Sequence, residues 1–244
     1  MKKILIVILA ILFSTSLFSD SLFGQTKYAK KKFYRFYTDL QVGPSFPYGD
    51  LGSDDPLSVK SGYATVGYKI EANFGVKLID VVGINLMGFF NSNPINLGTL
   101  ETHLSGKFPG TSWSYDALKW EIYGGLLGFE FSYPAAKKFT VGLRAYTGYL
   151  STTSPQLQLY SGSNSYTQAE AKSDGLAYLI SLSGEYLIGP QIYWTGSLDF
   201  LGANPDFNNV GTVTVVNGVT TPSTTSFTQD MKVFVIDTGI KIVF

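Results

Sequence analysis

A period of two governs the last fourteen residues of the chain, Met231–Phe244. Phe234, Ile236, Thr238, Ile240, Ile242 and Phe244 fall on one face, and Val235, Asp237, Gly239, Lys241 and Val243 on the other. Successive side chains of a strand point to opposite sides, so this segment is a strand with one nearly pure apolar face and one face that carries charge. The pattern recurs upstream. In Tyr63–Lys77 the residues Ala64, Val66, Tyr68, Ile70, Ala72, Phe74 and Val76 oppose Thr65, Gly67, Lys69, Glu71, Asn73 and Gly75. Further alternating segments are expected at Tyr34–Phe46, Val81–Phe90, Leu118–Phe131, Phe139–Tyr149, Leu176–Tyr186 and Ile192–Phe200, which makes eight strands with the last one. In Leu118–Phe131 the alternation changes phase: Trp120 and Ile122 share the apolar face at the start, Leu127, Phe129 and Phe131 at the end. A bulge at Gly124–Gly125 would absorb the extra residue.

The connections alternate long and short. Pro47–Gly62, Asn91–Ala117, Ser151–Gly175 and Gly202–Asp230 are long and polar, whereas Leu78–Asp80, Ser132–Lys138 and Gly189–Pro190 are short. Strands long enough to cross a bilayer when tilted, an even strand count and long connections at one end only are the pattern of a membrane barrel. The expected fold is all-β: an eight-stranded antiparallel up-and-down transmembrane β-barrel with four long extracellular loops and short periplasmic turns. A secreted β-sandwich also alternates apolar and polar residues, but it gives no reason for a long connection at every second position. Asn217–Gly218, between Thr212–Val216 and Val219–Thr221, signals a hairpin in the fourth loop.

The N-terminus reads as an export signal, 1–24: Lys2 and Lys3, then the apolar run Ile4–Phe13, then Ser14–Ser16, with cleavage near Gly24 or alternatively near Ser19. Residues 25–33 form a polar, basic lead-in, and 34–244 the barrel domain. Charged residues make up only 15% of the chain and balance to a net charge of zero, which offers nothing to nucleic acid. With no Cys and one His, thiolate and multi-histidine metal sites and a Cys nucleophile are unavailable, and no cofactor is implied.

On this parity Asp39, Lys69, Glu71, Glu121, Arg144, Glu185, Asp199, Asp237 and Lys241 face the lumen, with Arg35 and Lys119 as possible additions. Eight strands enclose a space that side chains fill, so a lumen closed by ion pairs is expected. Asp237 and Lys241 should find partners on the first or seventh strand, with Arg35, Asp39 and Asp199 nearest. Phe46, Phe90, Trp120 and Tyr149 would mark the outer interface, and Phe36, Phe74, Phe139, Tyr186, Trp194 and Phe244 the inner one. Asp54–Asp55 is a carboxylate pair without the spacing of a calcium loop. Met87 and Phe89, on the lumen face, could line a narrow passage for small apolar molecules. Tyr160, Tyr166 and the Asn217–Gly218 hairpin are loop candidates for an unidentified extracellular ligand.

The export signal, the eight alternating strands and the closing strand ending in Phe244 resemble the small eight-stranded outer-membrane barrels of Gram-negative bacteria: OmpX, OmpW, the OmpA transmembrane domain and the Bacteroidetes-style outer-membrane β-barrel domain. The resemblance implies a cell outer-membrane location among outer-membrane lipid and a monomeric, non-enzymatic barrel. It also implies that Ile240, Ile242 and Phe244 occupy the positions read by the barrel-assembly machinery. Nothing after Phe244 suggests an OmpA-type wall anchor. Glu101, His103 and Ser105 resemble the His-x-Ser pair and acid of barrel lipid A deacylases. A His base beside a Ser nucleophile is sound acyl-transfer chemistry, but here the pair is expected in a loop between Pro94 and Pro109.

Overall fold

A computed structural model describes residues 35–55, 61–96, 98, 99, 102, 114–117 and 119–244. The export-signal segment, the lead-in, and Glu101, His103 and Ser105 lie outside them. Thirteen strands are present among the described residues: β1 (Phe36–Tyr48), β2 (Gly67–Ile79), β3 (Val82–Asn93), β4 (Ser114–Ala117), β5 (Trp120–Ala136), β6 (Phe139–Ser154), β7 (Leu157–Ser161), β8 (Asn164–Gln168), β9 (Ala171–Leu187), β10 (Ile192–Ala203), β11 (Asp206–Val216), β12 (Val219–Thr228) and β13 (Met231–Val243). Eight of them close an antiparallel barrel in the order β1-β13-β10-β9-β6-β5-β3-β2. The remaining five form a second sheet, β12-β11-β8-β7-β4, from the long connections.

The barrel closes between the ends of the domain. Leu40 pairs with Ile240 and Thr38 with Ile242. Beyond the ladder, Phe36 and Phe244 exchange backbone hydrogen bonds of 3.0 and 2.9 Å. Phe36 stacks on Phe74 on one side and on Phe244 on the other, with centroids 6.2 and 6.3 Å apart, so three adjacent strands carry one aromatic band at the short-turn end. Closure leaves no unpaired barrel edge, the condition a β-structure must meet in hydrocarbon.

The outer surface is apolar. Leu40, Ile70, Phe74, Leu86, Leu127, Phe129, Ile180, Leu182, Trp194, Leu198, Ile236, Ile240 and Ile242 are all exposed, and together they run round the barrel. A continuous apolar belt of this kind exceeds anything a soluble monomer leaves in water. The Trp194 indole, the polar group of that belt on β10, donates to Thr238 Oγ1 at 2.9 Å and so needs no water.

Inside, two glycines make room for tyrosines. A Cβ on Gly75 would lie 2.0 Å from Tyr37 Cζ, and one on Gly128 would lie 2.5 Å from Tyr146 Cδ1. Each ring therefore lies over the glycine opposite it on the neighbouring strand, and its hydroxyl reaches polar partners beyond.

Three expectations are corrected here. First, β5 has no bulge at Gly124–Gly125: its register to β3 and β6 is continuous from Glu121 through Phe131, and its one irregularity lies at Pro134–Ala136 near the short turn. Trp120 and Ile122 point inward and are buried, so Trp120 is not an outer-interface residue. Second, the third long loop, expected over Ser151–Gly175, is shorter and structured: β6 runs to Ser154, β9 begins at Ala171, and β7 and β8 make a hairpin between them. Third, the arms of the fourth-loop hairpin are longer than Thr212–Val216 and Val219–Thr221. Asn217 and Gly218 form its turn with φ of 51° and 78°, the left-handed pair that a two-residue hairpin turn requires.

Candidate functional site

The lumen holds two different fillings. Toward the short turns it is a polar network that takes residues from all eight barrel strands. Arg144 Nη2 lies 3.3 Å from Asp39 Oδ2 and 3.3 Å from Glu185 Oε1, while its Nε lies 3.2 Å from Glu130 Oε2. Lys241 Nζ lies 2.6 Å from Glu185 Oε1 and 3.4 Å from Glu130 Oε1, and 3.8 Å above the centroid of the Tyr37 ring. Lys77 Nζ adds a bond of 2.7 Å to Glu130 Oε1. This tier sets three bases against three acids.

One level up, Lys69 Nζ lies 2.6 Å from Glu71 Oε2 and 2.8 Å from Asp237 Oδ2, and it donates to Asp199. All four side chains are buried, and the three carboxylates approach one another within 4.8 Å. Asn73 links the tiers: it donates to Asp39 Oδ1 at 2.8 Å and to Glu71 Oε1 at 3.0 Å, and accepts from Tyr146 Oη at 3.1 Å. Tyr37 Oη packs against Asn85 and Glu130. Ser197 donates to Gln41 Oε1 at 3.2 Å.

Toward the long loops the filling is apolar. Met87, Phe89, Trp120, Ile122, Leu126, Leu150, Leu179, Leu201, Phe207, Met231, Val233 and Val235 form one buried cluster with Leu51 and Ala64 of the first loop. Trp120 Nε1 donates to Gly62 O at 2.9 Å, and its ring meets Phe207 edge-on at 6.0 Å. Ala64 bridges to Ile95, which ties the first long connection to the second. Leu51 and Gly62–Ala64 therefore form a lid over the lumen, packed from below.

Eight of the nine expected lumen charges lie in this network. Glu121 does not: it faces outward, half-buried, and pairs with exposed Lys119 at 3.0 Å. The hydrogen bond to Glu121 raises the Lys119 ammonium above its ordinary range. Its side of β5 is the outer one because the inner positions of that stretch are taken by Trp120 and Ile122. Arg35 is exposed and stands outside the network. Asp199 does lie beside Asp237, as expected, but the ion-pair partners of Asp237 and Lys241 differ from expectation. Asp237 meets Lys69 of β2, and Lys241 meets Glu130 of β5 and Glu185 of β9, because long side chains reach across the lumen and not along its wall. Glu130, Lys77, Asn85 and Tyr37 were missed; Glu130 stands on the Gly128 face of its strand and was legible from parity alone.

Asp54 and Asp55 are exposed in the first loop. Burial, and next these two carboxylates, raise the nearby Tyr63 phenol, whose residue holds a left-handed φ of 50°. Above the barrel, Tyr160 is exposed and Tyr166 half-buried on adjacent strands β7 and β8. The Asn217 N–H donates to Asn164 Oδ1 at 2.9 Å, which joins the tips of the two hairpins. Leu157–Gln168 and Phe207–Thr228 contain no charged residue.

No family model matches the sequence, and no curated protein matches it. Solved structures do resemble it. Neisserial surface protein A is 10% identical, with 86% of this chain and 97% of that chain covered and a TM-score of 0.49. A major outer membrane protein from Thermus thermophilus is 12% identical, with 86% and 99% covered and a TM-score of 0.49. The outer membrane protease OmpT from Escherichia coli is 11% identical, with 90% and 99% covered and a TM-score of 0.48. The assignment rests on the strand pairing and the apolar belt. This chain has the architecture of an outer-membrane β-barrel. Its apolar belt suits contact with lipid, and its lumen and its external sheet carry the polar groups described above.

Proposed function

We propose that the protein is a non-enzymatic, monomeric barrel of the cell outer membrane, inserted by the barrel-assembly machinery through Ile240, Ile242 and Phe244. In this reading its lumen is closed by its own side chains, and its external sheet carries the interaction with an extracellular ligand. The observation that carries this reading is the stacked filling of the lumen, an apolar plug under the first loop above two tiers of ion pairs. Met87 and Phe89 belong to that plug, which argues against the narrow apolar passage they would otherwise line. The external strands supply uncharged hydroxyl, amide and tyrosine groups on a rigid support, the usual setting for recognition. His103 and Ser105 lie outside the described residues, and the deacylase reading gains nothing from the fold, since folds of this kind host unrelated functions.

Planar-bilayer recording tests the closed lumen. The purified protein should insert without conducting small ions. Stepwise conductance that persists after reinsertion of a monodisperse sample would refute the closed barrel.

A further inference from the structure

The external sheet has two unlike faces. Gln158, Thr167, Val213 and Pro222 lie side by side across β7, β8, β11 and β12, and Tyr160 lies opposite Ser165 one step further along. Residues directly opposite one another in a ladder share a face, as do residues two apart along a strand, so all six stand on one side. None of the six is buried: Tyr160, Val213 and Pro222 are exposed, and Gln158, Ser165 and Thr167 are half-buried. On the other side Leu159, Ser161 and Thr212 are buried. With about 4.8 Å between strands, the open face is roughly 14 Å wide.

The chemistry of this face is polar without charge. Leu157–Gln168 and Phe207–Thr228 contain no ionisable acid or base apart from tyrosine, so the face has no field with which to draw an ion. Tyr160 Oη donates to Gln158 Oε1 at 2.5 Å. That bond occupies the amide oxygen and fixes the ring beside the amide. The two N–H groups of Gln158 and the lone pairs of the Tyr160 hydroxyl stay open. Ser165 and Thr167, directly opposite on β8, add two hydroxyls that each donate and accept. An aromatic ring, an amide and two hydroxyls are thus held in fixed relation on paired strands.

We propose that this face binds a neutral glycan, with Tyr160 stacked on a sugar ring and Gln158, Ser165 and Thr167 bonded to its hydroxyls. The inference rests on the reading that the external sheet carries the protein's recognition. A sugar ring has an apolar C–H face and a rim of hydroxyls that both donate and accept. The sheet offers the match, an exposed aromatic ring with donors and acceptors at its side. The lack of charge selects against sulfated or sialylated chains and against nucleic acid, which call for cations. The shape selects against a protein partner, whose anchors sink into desolvated pockets. Here the Tyr160 ring stands on an open sheet with Ser165 as its cross-strand neighbour. Strand pairing holds the contact groups in place before binding, so capture orders little.

The test applies the full chain in nanodiscs to an immobilised panel of neutral oligosaccharides built from hexose, N-acetylhexosamine and deoxyhexose units, with heparin, a sialylated oligosaccharide and deglycosylated mucin alongside. The wild type should bind at least one neutral oligosaccharide, and equally well at about 0.05 and 0.5 M salt. Tyr160→Ala and, independently, Gln158→Leu should weaken that binding at least about tenfold. Tyr160→Trp should hold it within about threefold, because it keeps a stacking ring. Heat-modifiable mobility on gels shows that each variant is a folded barrel. A folded wild type that binds no neutral oligosaccharide overturns the proposal, as does binding confined to heparin or the sialylated chain, or a Tyr160→Ala variant that binds like the wild type. Binding to deglycosylated mucin that Tyr160→Ala abolishes, without any glycan bound, overturns the glycan and leaves the external-sheet reading standing. Binding that Tyr160→Ala, Gln158→Leu and Val213→Arg all leave unchanged moves recognition off the sheet and overturns both.

Discussion

Lys69→Met is the substitution that most directly interrogates the lumen. Lys69 is the cation shared by Glu71, Asp199 and Asp237. With it gone, three carboxylates remain within 4.8 Å of one another and sealed from water. At an effective dielectric of about 20, each pair at that spacing repels by roughly 3–4 kcal/mol. Breaking one buried pair already costs about 3–5 kcal/mol. The upper limit comes from proton uptake: near neutral pH, placing a proton on an ordinary carboxylate costs about 4 kcal/mol, and two protons leave a single charge. The variant should therefore lose roughly 4–8 kcal/mol, a large share of the 5–15 kcal/mol typical of folded domains. Lys241→Met provides the contrast. Glu130 and Glu185 both keep Arg144, at 3.2 and 3.3 Å, and Glu130 also keeps Lys77. Its loss should be nearer ~1–3 kcal/mol. Urea unfolding from lipid vesicles, followed by tryptophan fluorescence and heat-modifiable mobility, measures both. Adding Asp199→Asn and Asp237→Asn to Lys69→Met should return most of the loss. If Lys69→Met unfolds within about 1 kcal/mol of wild type, or if Lys241→Met costs more, the shared-cation account is refuted.

Trp120→Ala should cost about 3–5 kcal/mol by opening the plug, and hydrogen exchange should rise around Gly62–Ala64, where its indole anchors the lid. If the added exchange is confined to β5, the lid is not held from below. Gly75→Ala drives a methyl into the Tyr37 ring and should cost roughly 1–3 kcal/mol, recovered largely by adding Tyr37→Leu; an unrecovered loss would place the strain elsewhere. Glu121→Gln should change stability by no more than ~0.5 kcal/mol, since the Lys119 pair is exposed and screened. A larger loss in the same unfolding assay would put Glu121 back in the lumen.

The barrel was legible because its two environments impose opposite chemistry on alternate residues. Residues such as Ile70 and Glu71, adjacent in sequence, are assigned correctly by parity, and so are Arg144 and Ala145. The partners were not legible. Parity names the wall a residue faces, but pairing across the lumen depends on side-chain reach and barrel stagger. That is how Asp237 finds Lys69 on β2, 168 residues earlier in the chain. The external sheet was half legible. Asn217–Gly218 announced its hairpin by turn chemistry, whereas β7 and β8 are Ser-, Gln- and Tyr-rich and read as loop until β11 supplies a ladder partner, Thr212 to Gln168 and Val215 to Ser165.

The misreading of β5 shows what the alternation actually records. Charges at Lys119 and Glu121 beside apolar Trp120 and Ile122 look like a frame shift, yet even-numbered positions from Trp120 to Ser132 face inward throughout, partly exposed Gly124 included. What changes is the solvent, not the frame. Low on the barrel the outside is lipid and the inside is an ionic network, so polar residues point in. Near the loops the outside is water and the inside is an apolar plug, so apolar residues point in. The same inversion occurs on β9, where Lys172 and Asp174 lie outward above Leu176, while Ala177 and Leu179 face inward above Ser181 and Glu185. It occurs again on β13, where half-buried Lys232 flanks inward Met231 and Val233, and Ile236 and Ile240 then lie outward beside inward Asp237 and Lys241. Three strands thus change sign without a register shift, and the changes fall between Glu121 and Leu127, between Asp174 and Leu176, and between Lys232 and Ile236. A bulge would have to recur at a matching height in each strand to mimic this, and none is present there in any of them. The inversion is therefore the trace of the outer membrane–water boundary in the sequence, and it places Lys119, Glu121, Asp174 and Lys172 at headgroup height.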